Sequence, residues 1–236
     1  MNESKTIALT FDDAVSNHAT LAGPLLRRYG FGATFYICEF PPDFSTNKQQ
    51  YMTWEQIQGL DEAGFEIGNH TLTHANIAEM DDAELVNELE LVEKRCAEHG
   101  ITHPVTFAYP SCHIRESAFP VLLQKGYRLA RIGGSRSFIP GQDHPLLVPS
   151  FPVHGDDKSL FYNAVAQASP GVIPVLMFHG IPEYTHPWVN TPPELFTEYI
   201  HYLAANDFRV IAMRDLLPGL ESEAPAGIFP NSGKNG

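Results

Sequence analysis

Phe65-Glu66-Ile67-Gly68-Asn69-His70-Thr71-Leu72-Thr73-His74 joins a short apolar run to a pair of histidines. The run follows Gly64, a helix terminator, and 65–68 reads as a strand. His70 and His74 stand at i and i+4. On one turn of helix that spacing puts both imidazoles on the same face, close enough to hold one metal ion. The zinc-protease helix H-E-x-x-H has the same spacing, with Glu as general base in its second position, where this chain has Thr71. A metal held here would need a third ligand and a base from another part of the chain. Otherwise the two histidines only cap a short helix.

The pattern of an apolar run ending in polar residues recurs on both sides of this stretch. Strands are expected at 6–11, 32–38, 105–109, 127–131, 147–153, 171–179 and 208–211. Helices are expected between them, at 17–29, 54–63, 81–99, 115–125, 158–167 and 193–206. Thr53 with Gln56 makes a capping box for the second of these. Leu85, Leu89, Val92 and Cys96 give the 81–99 helix one apolar face. Strand and helix in alternation mean parallel strands with helices packed outside. The fold class is therefore α/β, an irregular (β/α) barrel of seven or eight strands, a fold that usually takes about 250 residues. An open doubly wound sheet is the other arrangement of such units, but no G-x-G-x-x-G follows the first strand.

Barrels carry their chemistry at the C-terminal ends of the strands. Those positions hold Asp12 and Asp13, His70 and His74, Tyr109-Pro110-Ser111, Arg131 and His179. These residue types suit metal binding and acid–base catalysis. One Asp after a strand is usually a helix cap; five such groups in register are not explained that way.

Bulk properties exclude several classes. The 236 residues are 43% hydrophobic, enough for a core, and carry a net charge of −13 with no basic block, so no nucleic-acid partner is expected. No run of about 18 apolar residues is present, so no membrane span is expected. Residues 1–5 lack the shape of a signal peptide, which favours the cytoplasm, or an extracellular or periplasmic site if the sequence was trimmed. Three cysteines, Cys38, Cys96 and Cys112, make no disulfide framework and no C-x-x-C zinc site. Cys96 reads as buried filler, and Cys112 lies beside the turn at 109–111. Residues 1–220 read as one catalytic domain and 221–236, rich in Gly, Pro, Ser and Asn, as a disordered tail.

Thr10-Phe11-Asp12-Asp13-Ala14, His70-Thr71-Leu72-Thr73-His74, Phe107-Ala108-Tyr109-Pro110 and Met177-Phe178-His179 together resemble the successive motifs of the polysaccharide deacetylases, the NodB-homology group of carbohydrate esterases, family 4. The resemblance runs from about residue 5 to about residue 217. It implies an irregular (β/α) barrel and a metal-dependent hydrolase that removes N- or O-acetyl groups from a glycan or oligosaccharide. By the same resemblance Asp13, His70 and His74 are metal ligands, Asp12 the general base and His179 the general acid. Ser111 stands where a backbone N–H holds the oxyanion, within a substrate-binding turn formed by Tyr109, Pro110 and Ser111. Met177 stands where an apolar residue lines the acetyl pocket. The metal is a divalent ion, zinc by ligand type, with cobalt or nickel able to substitute.

The chain departs from the motifs in three places. Ala14 replaces the usual Gly. Ala108 stands where an Arg usually orients the base, and Arg131, after Ala130, is the candidate for that displaced Arg. The motif that supplies an Asp and a Trp beside the acid histidine is absent. Two other functions stay open on this sequence: hydrolysis of a non-sugar amide on the same scaffold, and a catalytically silent metal- or glycan-binding domain. Tyr184, His186 and Trp188 form either a sugar-stacking wall or loop packing. His18 and His113 either touch substrate or have no role.

Overall fold

The computed structural model describes residues 5–223, with side chains described as far as 220; the tail expected at 221–236 therefore lies beyond the described side chains and, from 224 on, outside the described residues. Among these residues eight parallel strands form one sheet: β1 (Thr6–Phe11), β2 (Thr34–Ile37), β3 (Glu66–Asn69), β4 (Thr106–Ala108), β5 (Leu129–Arg131), β6 (Phe151–Pro152), β7 (Val175–Phe178) and β8 (Arg209–Ile211). Their order is β5-β4-β3-β2-β1-β7-β6. The C-terminal half of β1 pairs with β2 at Thr10 and Phe11, while its N-terminal half pairs with β8 at Thr6, Ile7 and Ala8. The two ends of the sheet, β5 and β6, meet through one short joint. Val148, three residues before β6, donates to Ala130 O at 2.8 Å and accepts from Ile132 N at 2.8 Å. The barrel is thus irregular and nearly closed.

Among the described residues seven α-helices accompany the strands: α1 (Gly23–Arg28), α2 (Trp54–Glu62), α3 (Asp82–Glu98), α4 (Phe119–Gln124), α5 (Ser159–Val165), α6 (Pro193–Ala205) and α7 (Leu217–Glu223). The Thr53–Gln56 capping box starts α2, and an Asp81–Glu84 box starts α3. The helix expected at 17–29 is split into a π-type turn (His18–Ala22) and α1. Gly23 and Pro24 mark the break, and a Cβ on Gly23 would sit 2.7 Å from the Leu60 side chain of α2. The strand expected at 147–153 shrinks to two residues. Pro149 and Pro152 cannot donate to a ladder, so the pairing is confined to Phe151 and its neighbour. Pro174 likewise delays β7 to Val175.

Strand side chains alternate between two environments. Ile7, Leu9, Phe11, Phe35, Ile37, Ile67, Leu176 and Phe178 pack outward against Leu26, Ile57, Leu60, Phe196 and Ile200 of the helices. Ala8, Tyr36, Ala108, Leu129, Val175 and Ile211, from six different strands, pack together inside. Both faces are covered, which is why β1 is almost entirely buried. The alternation carries a consequence for chemistry. Asp12, Arg131, Met177 and His179 are an even number of residues from the inward-facing Ala8, Leu129 and Val175, and His70 is an odd number from the outward-facing Ile67. One periodicity therefore aims them into the same mouth.

Candidate active site

At the C-terminal mouth of the barrel, Asp12, Asp13, His70, His74, Tyr109, Ser111, Met177 and His179 line one cavity of about 600 Å³. Phe40, Cys112, His186, Trp188 and Val189 complete its wall. Pro110, between Tyr109 and Ser111, is buried and does not itself line the cavity. His113 is exposed outside the cavity. His18 is fully buried beneath it, with Nε2 2.9 Å from the carbonyl oxygen of His179.

The two adjacent aspartates have different partners. Asp12 Oδ2 accepts from Arg131 Nη2 at 2.5 Å. The same guanidinium contacts Ser150 Oγ and Met177 Sδ and lies 5.4 Å above the Tyr36 ring. Arg131 is 0% exposed and reaches Asp12 across the barrel interior, from β5 to the end of β1. Burial would raise the Asp12 carboxyl, but the charges of Arg131, His70 and His179 and the Arg131 hydrogen bond outweigh it, and the pKa falls below the ordinary value. Asp12 is held ionised.

Asp13 has no such partner. Its Oδ1 is buried, accepts no hydrogen bond, and faces His70 Nε2 at 3.6 Å and His74 Nε2 at 3.5 Å. Burial first, then the neighbouring charges of Asp12 and Glu183, push its carboxyl well above the usual range. Burial likewise pushes His70 down, and His74 down to about 3, so both imidazoles are neutral. His70 gives its Nδ1 proton to Ala108 O at 2.8 Å, which leaves the Nε2 lone pair facing Asp13. The ligand atoms of Asp13, His70 and His74 all lie within 4.8 Å of one another. Three acceptors, two of them buried and His74 part-buried, converge without a hydrogen bond among them, an arrangement unfavourable by itself. A divalent cation would satisfy all three, so this donor set fits one.

The histidine pair is not on a helix, contrary to the spacing argument. Asn69 Oδ1 accepts from Thr71 N at 2.9 Å, and Thr71 Oγ1 accepts from Ala75 N at 3.0 Å. These side-chain bonds compete with helix formation and make a tight loop instead. Thr71 and His74 take φ of 55° and 54°. Glu88 of α3 fixes the loop from outside through Thr73 N at 2.8 Å. Asn69 also donates to Tyr127 OH and Leu89 O. Neither Asn69 nor Glu88 stood out in the sequence, because their work is on backbone groups whose conformation no pattern announced. Asp13, Ala14, Ser111 and Cys112 also have φ between 51° and 72°. Left-handed backbone therefore clusters around the cavity. At Ala14, φ +52° explains why the resembled motif carries Gly there.

His179 Nε2 lies 3.9 Å from Asp12 Oδ2, the same oxygen that accepts from Arg131. Burial pushes His179 down to about 4 against the pull of Asp12. Tyr184 is 79% and Trp188 69% exposed, and Trp188 meets the His186 ring at 5.3 Å.

The family profile for polysaccharide deacetylase matches residues 1–130, more than half of the chain. The chain belongs to the polysaccharide deacetylase family. Among curated relatives, the family includes a peptidoglycan-N-acetylglucosamine deacetylase of Bacillus cereus, 30% identical over 128 residues, 54% of this chain and 56% of that protein. The chain spans about half the length of the curated relatives it matches. Solved structures of the family extend the likeness of fold past residue 130. The Xyl-CE4 domain of a multidomain xylanase from the hindgut metagenome of Trinervitermes trinervoides superposes with a TM-score of 0.63 at 20% identity, covering 96% of this chain and 95% of that one. A family 4 carbohydrate esterase from Streptomyces lividans, in complex with acetate, gives 0.60 at 19% identity, covering 87% and 91%. Family membership agrees with the motif resemblance and with the irregular (β/α) barrel. Among the described residues no helix is long and apolar enough to cross a membrane.

Proposed function

We propose that this chain removes acetyl groups from a carbohydrate, with N-acetylglucosamine glycans as the first substrate class and O-acetylated glycans as the second. The observation that carries the reading is the division of labour between adjacent aspartates. Asp13 faces two neutral imidazoles, and Asp12 is held as a carboxylate by a buried Arg131. A binding module has no need of a locked carboxylate beside its ligand triad.

Asp13, His70 and His74 would hold the divalent ion, zinc by donor type, with cobalt or nickel as substitutes. Bound there, the ion supplies Lewis-acid polarisation of an acetyl carbonyl and a lowered pKa for water. The chain's own residues do the rest. Asp12 accepts a proton from the attacking water, and Arg131 keeps it oriented and ionised for that task. Ser111 offers its backbone N–H to the developing oxyanion. Met177, partnered by Arg131 and lining the cavity, gives the acetyl methyl an apolar contact. His179, neutral in the resting site, is 3.9 Å from Asp12 and can take up the proton that Asp12 acquires. It then delivers that proton to the leaving amine or alkoxide.

Acetate release from N-acetylated chitin and peptidoglycan fragments and from acetylated xylan tests the reading, using chelated protein with and without added zinc. Zinc-dependent release is expected. Asp12→Ala should abolish turnover and still bind metal, whereas His74→Ala should lose both. No release from any glycan by zinc-loaded protein would sink the carbohydrate assignment and favour a non-sugar amide.

A further inference from the structure

The loop after β7 is braced from several sides. Asn17 accepts from Ile181 N at 2.8 Å and donates to Pro182 O at 2.7 Å. Glu183, 3% exposed, takes three donors on Oε1: Gln50 Nε2 at 2.6 Å, Thr185 N at 2.8 Å and His186 N at 3.1 Å. Its own N–H donates to Asn190 Oδ1 at 2.8 Å. Gly180 leaves room for this carboxylate, since a Cβ there would lie 2.5 Å from Glu183 Oε2. A buried acid that organises the backbone of a surface loop fixes whatever that loop displays.

The loop displays His186 and Trp188, and Phe40 from the loop after β2 joins them. Phe40 packs on His74 at 4.6 Å between centroids and on His186 at 4.9 Å, and His186 meets Trp188 at 5.3 Å. Phe40, His186 and Trp188 all line the cavity that holds Asp13, His70 and His74. The aromatic strip therefore begins at a ligand histidine and ends at an indole that is 69% exposed. Tyr184 is on the same loop but does not line that cavity.

We propose that Phe40, His186 and Trp188 form a pyranose-binding wall, with Trp188 as the face on which a sugar ring stacks; this rests on the deacetylase reading above. An acetyl group at the Asp13–His70–His74 corner leaves its sugar, or the next one, in the remainder of the cavity. A pyranose presents an apolar C–H face and a rim of hydroxyls. An indole face covers the first without stripping water from the second. No carboxylate or ammonium belongs to the strip, so it suits an uncharged acetylated sugar. The bracing at Glu183 and Asn17 means that the wall is formed before the sugar arrives, which lowers the ordering cost of binding. His186 and Trp188 lie on the loop after β7 and Phe40 on the loop after β2, all three outside the four motifs. The wall supplies a groove-facing Trp where the family's Trp-bearing motif is absent from the sequence.

Steady-state acetate release tests this on N-acetylchitotetraose and acetylated xylotetraose, comparing the zinc-loaded chain with Trp188→Ala, Trp188→Phe and Tyr184→Ala. Trp188→Ala should raise KM about tenfold with kcat changed less than about threefold. Trp188→Phe, which keeps a stacking face, should recover most of that loss, and Tyr184→Ala should leave KM where it was. An active chain whose KM is unmoved by Trp188→Ala overturns the wall and leaves the deacetylase reading standing. A KM raised equally by all three variants also overturns it, because the effect then belongs to the loop. A chain that deacetylates neither sugar overturns both readings together.

Discussion

His18 is enclosed by the Phe11 and Phe35 rings, at 5.4 and 5.7 Å, and is bonded only through Nε2 to the His179 carbonyl. Burial depresses its pKa from 6.5 to about 4. The folded state therefore binds fewer protons than the unfolded chain between these values. Its stability is fully present above about pH 6.5, is lost as pH falls toward 4, and changes no further below that, a difference of roughly 3 kcal/mol for this one group. His18→Gln keeps a donor for the carbonyl and removes the titration. Urea unfolding at pH 7 and pH 4.5 should show a smaller acid loss in the variant; an identical loss would mean that other histidines carry it. At this scale the sequence was most legible where a residue's chemistry is its function. Asp12, Asp13, His70, His74, Arg131 and His179 were singled out by type and strand-end position, with roles supplied by the motif resemblance, and the structure brings them to one mouth. His18 was not separable from a surface histidine, because its meaning lies in the rings around it. Those rings come from β1 and β2, 7 and 17 positions away.

At the level of elements, β2 and β3 meet through Gly68 and Tyr36. A Cβ on Gly68 would lie 2.4 and 2.5 Å from two carbons of the Tyr36 ring. The glycine is thus fixed by a neighbour across the ladder, where Tyr36 and Gly68 are register partners. Gly68→Ala should destabilise by about 1–3 kcal/mol through overpacking. In a Tyr36→Ala background the same change should have little further effect, a non-additivity that thermal melts of the double variant would expose. Full additivity would place the strain elsewhere. Elements were readable from the sequence in kind more than in extent. All eight strands were anticipated, because their apolar runs are short and bounded by Gly, Pro or polar residues. Proline trimmed β6 and β7, and Asn69 and Thr71 replaced an expected helical turn with a loop. In each case a local hydrogen bond, missing or competing, overrode the periodic signal.

For the molecule as a whole, a cation at Asp13, His70 and His74 would bind the folded state and not the unfolded chain, whose donors are scattered from residue 13 to residue 74. At a free concentration about a hundredfold above Kd this adds roughly 2.7 kcal/mol. Differential scanning calorimetry should then show zinc raising Tm by about 5–10 °C over the chelated protein. His74→Ala should show little of that rise, and an equal rise in the variant would put the ion at another site. The architecture itself was visible from strand–helix alternation. What alternation cannot show is how the sheet closes, because β8 pairs with half of β1 and the β5–β6 joint is made by residues outside both strands, Val148 and Ser150.

That joint bears on how the molecule breathes. Val148 spans β5 and β6 with two backbone bonds, to Ala130 and Ile132, which flank Arg131. Arg131 in turn reaches Ser150 on the far side of the joint and Asp12 at the end of β1. The thinnest seam of the barrel is therefore stitched by the guanidinium that keeps the carboxylate charged. Amide protons at Ile132 and Val148 should be the first of the strand layer to exchange with deuterium. Each such opening would loosen Arg131 from its anchor, so excursions of the seam and moments of a misaligned Asp12 should occur together.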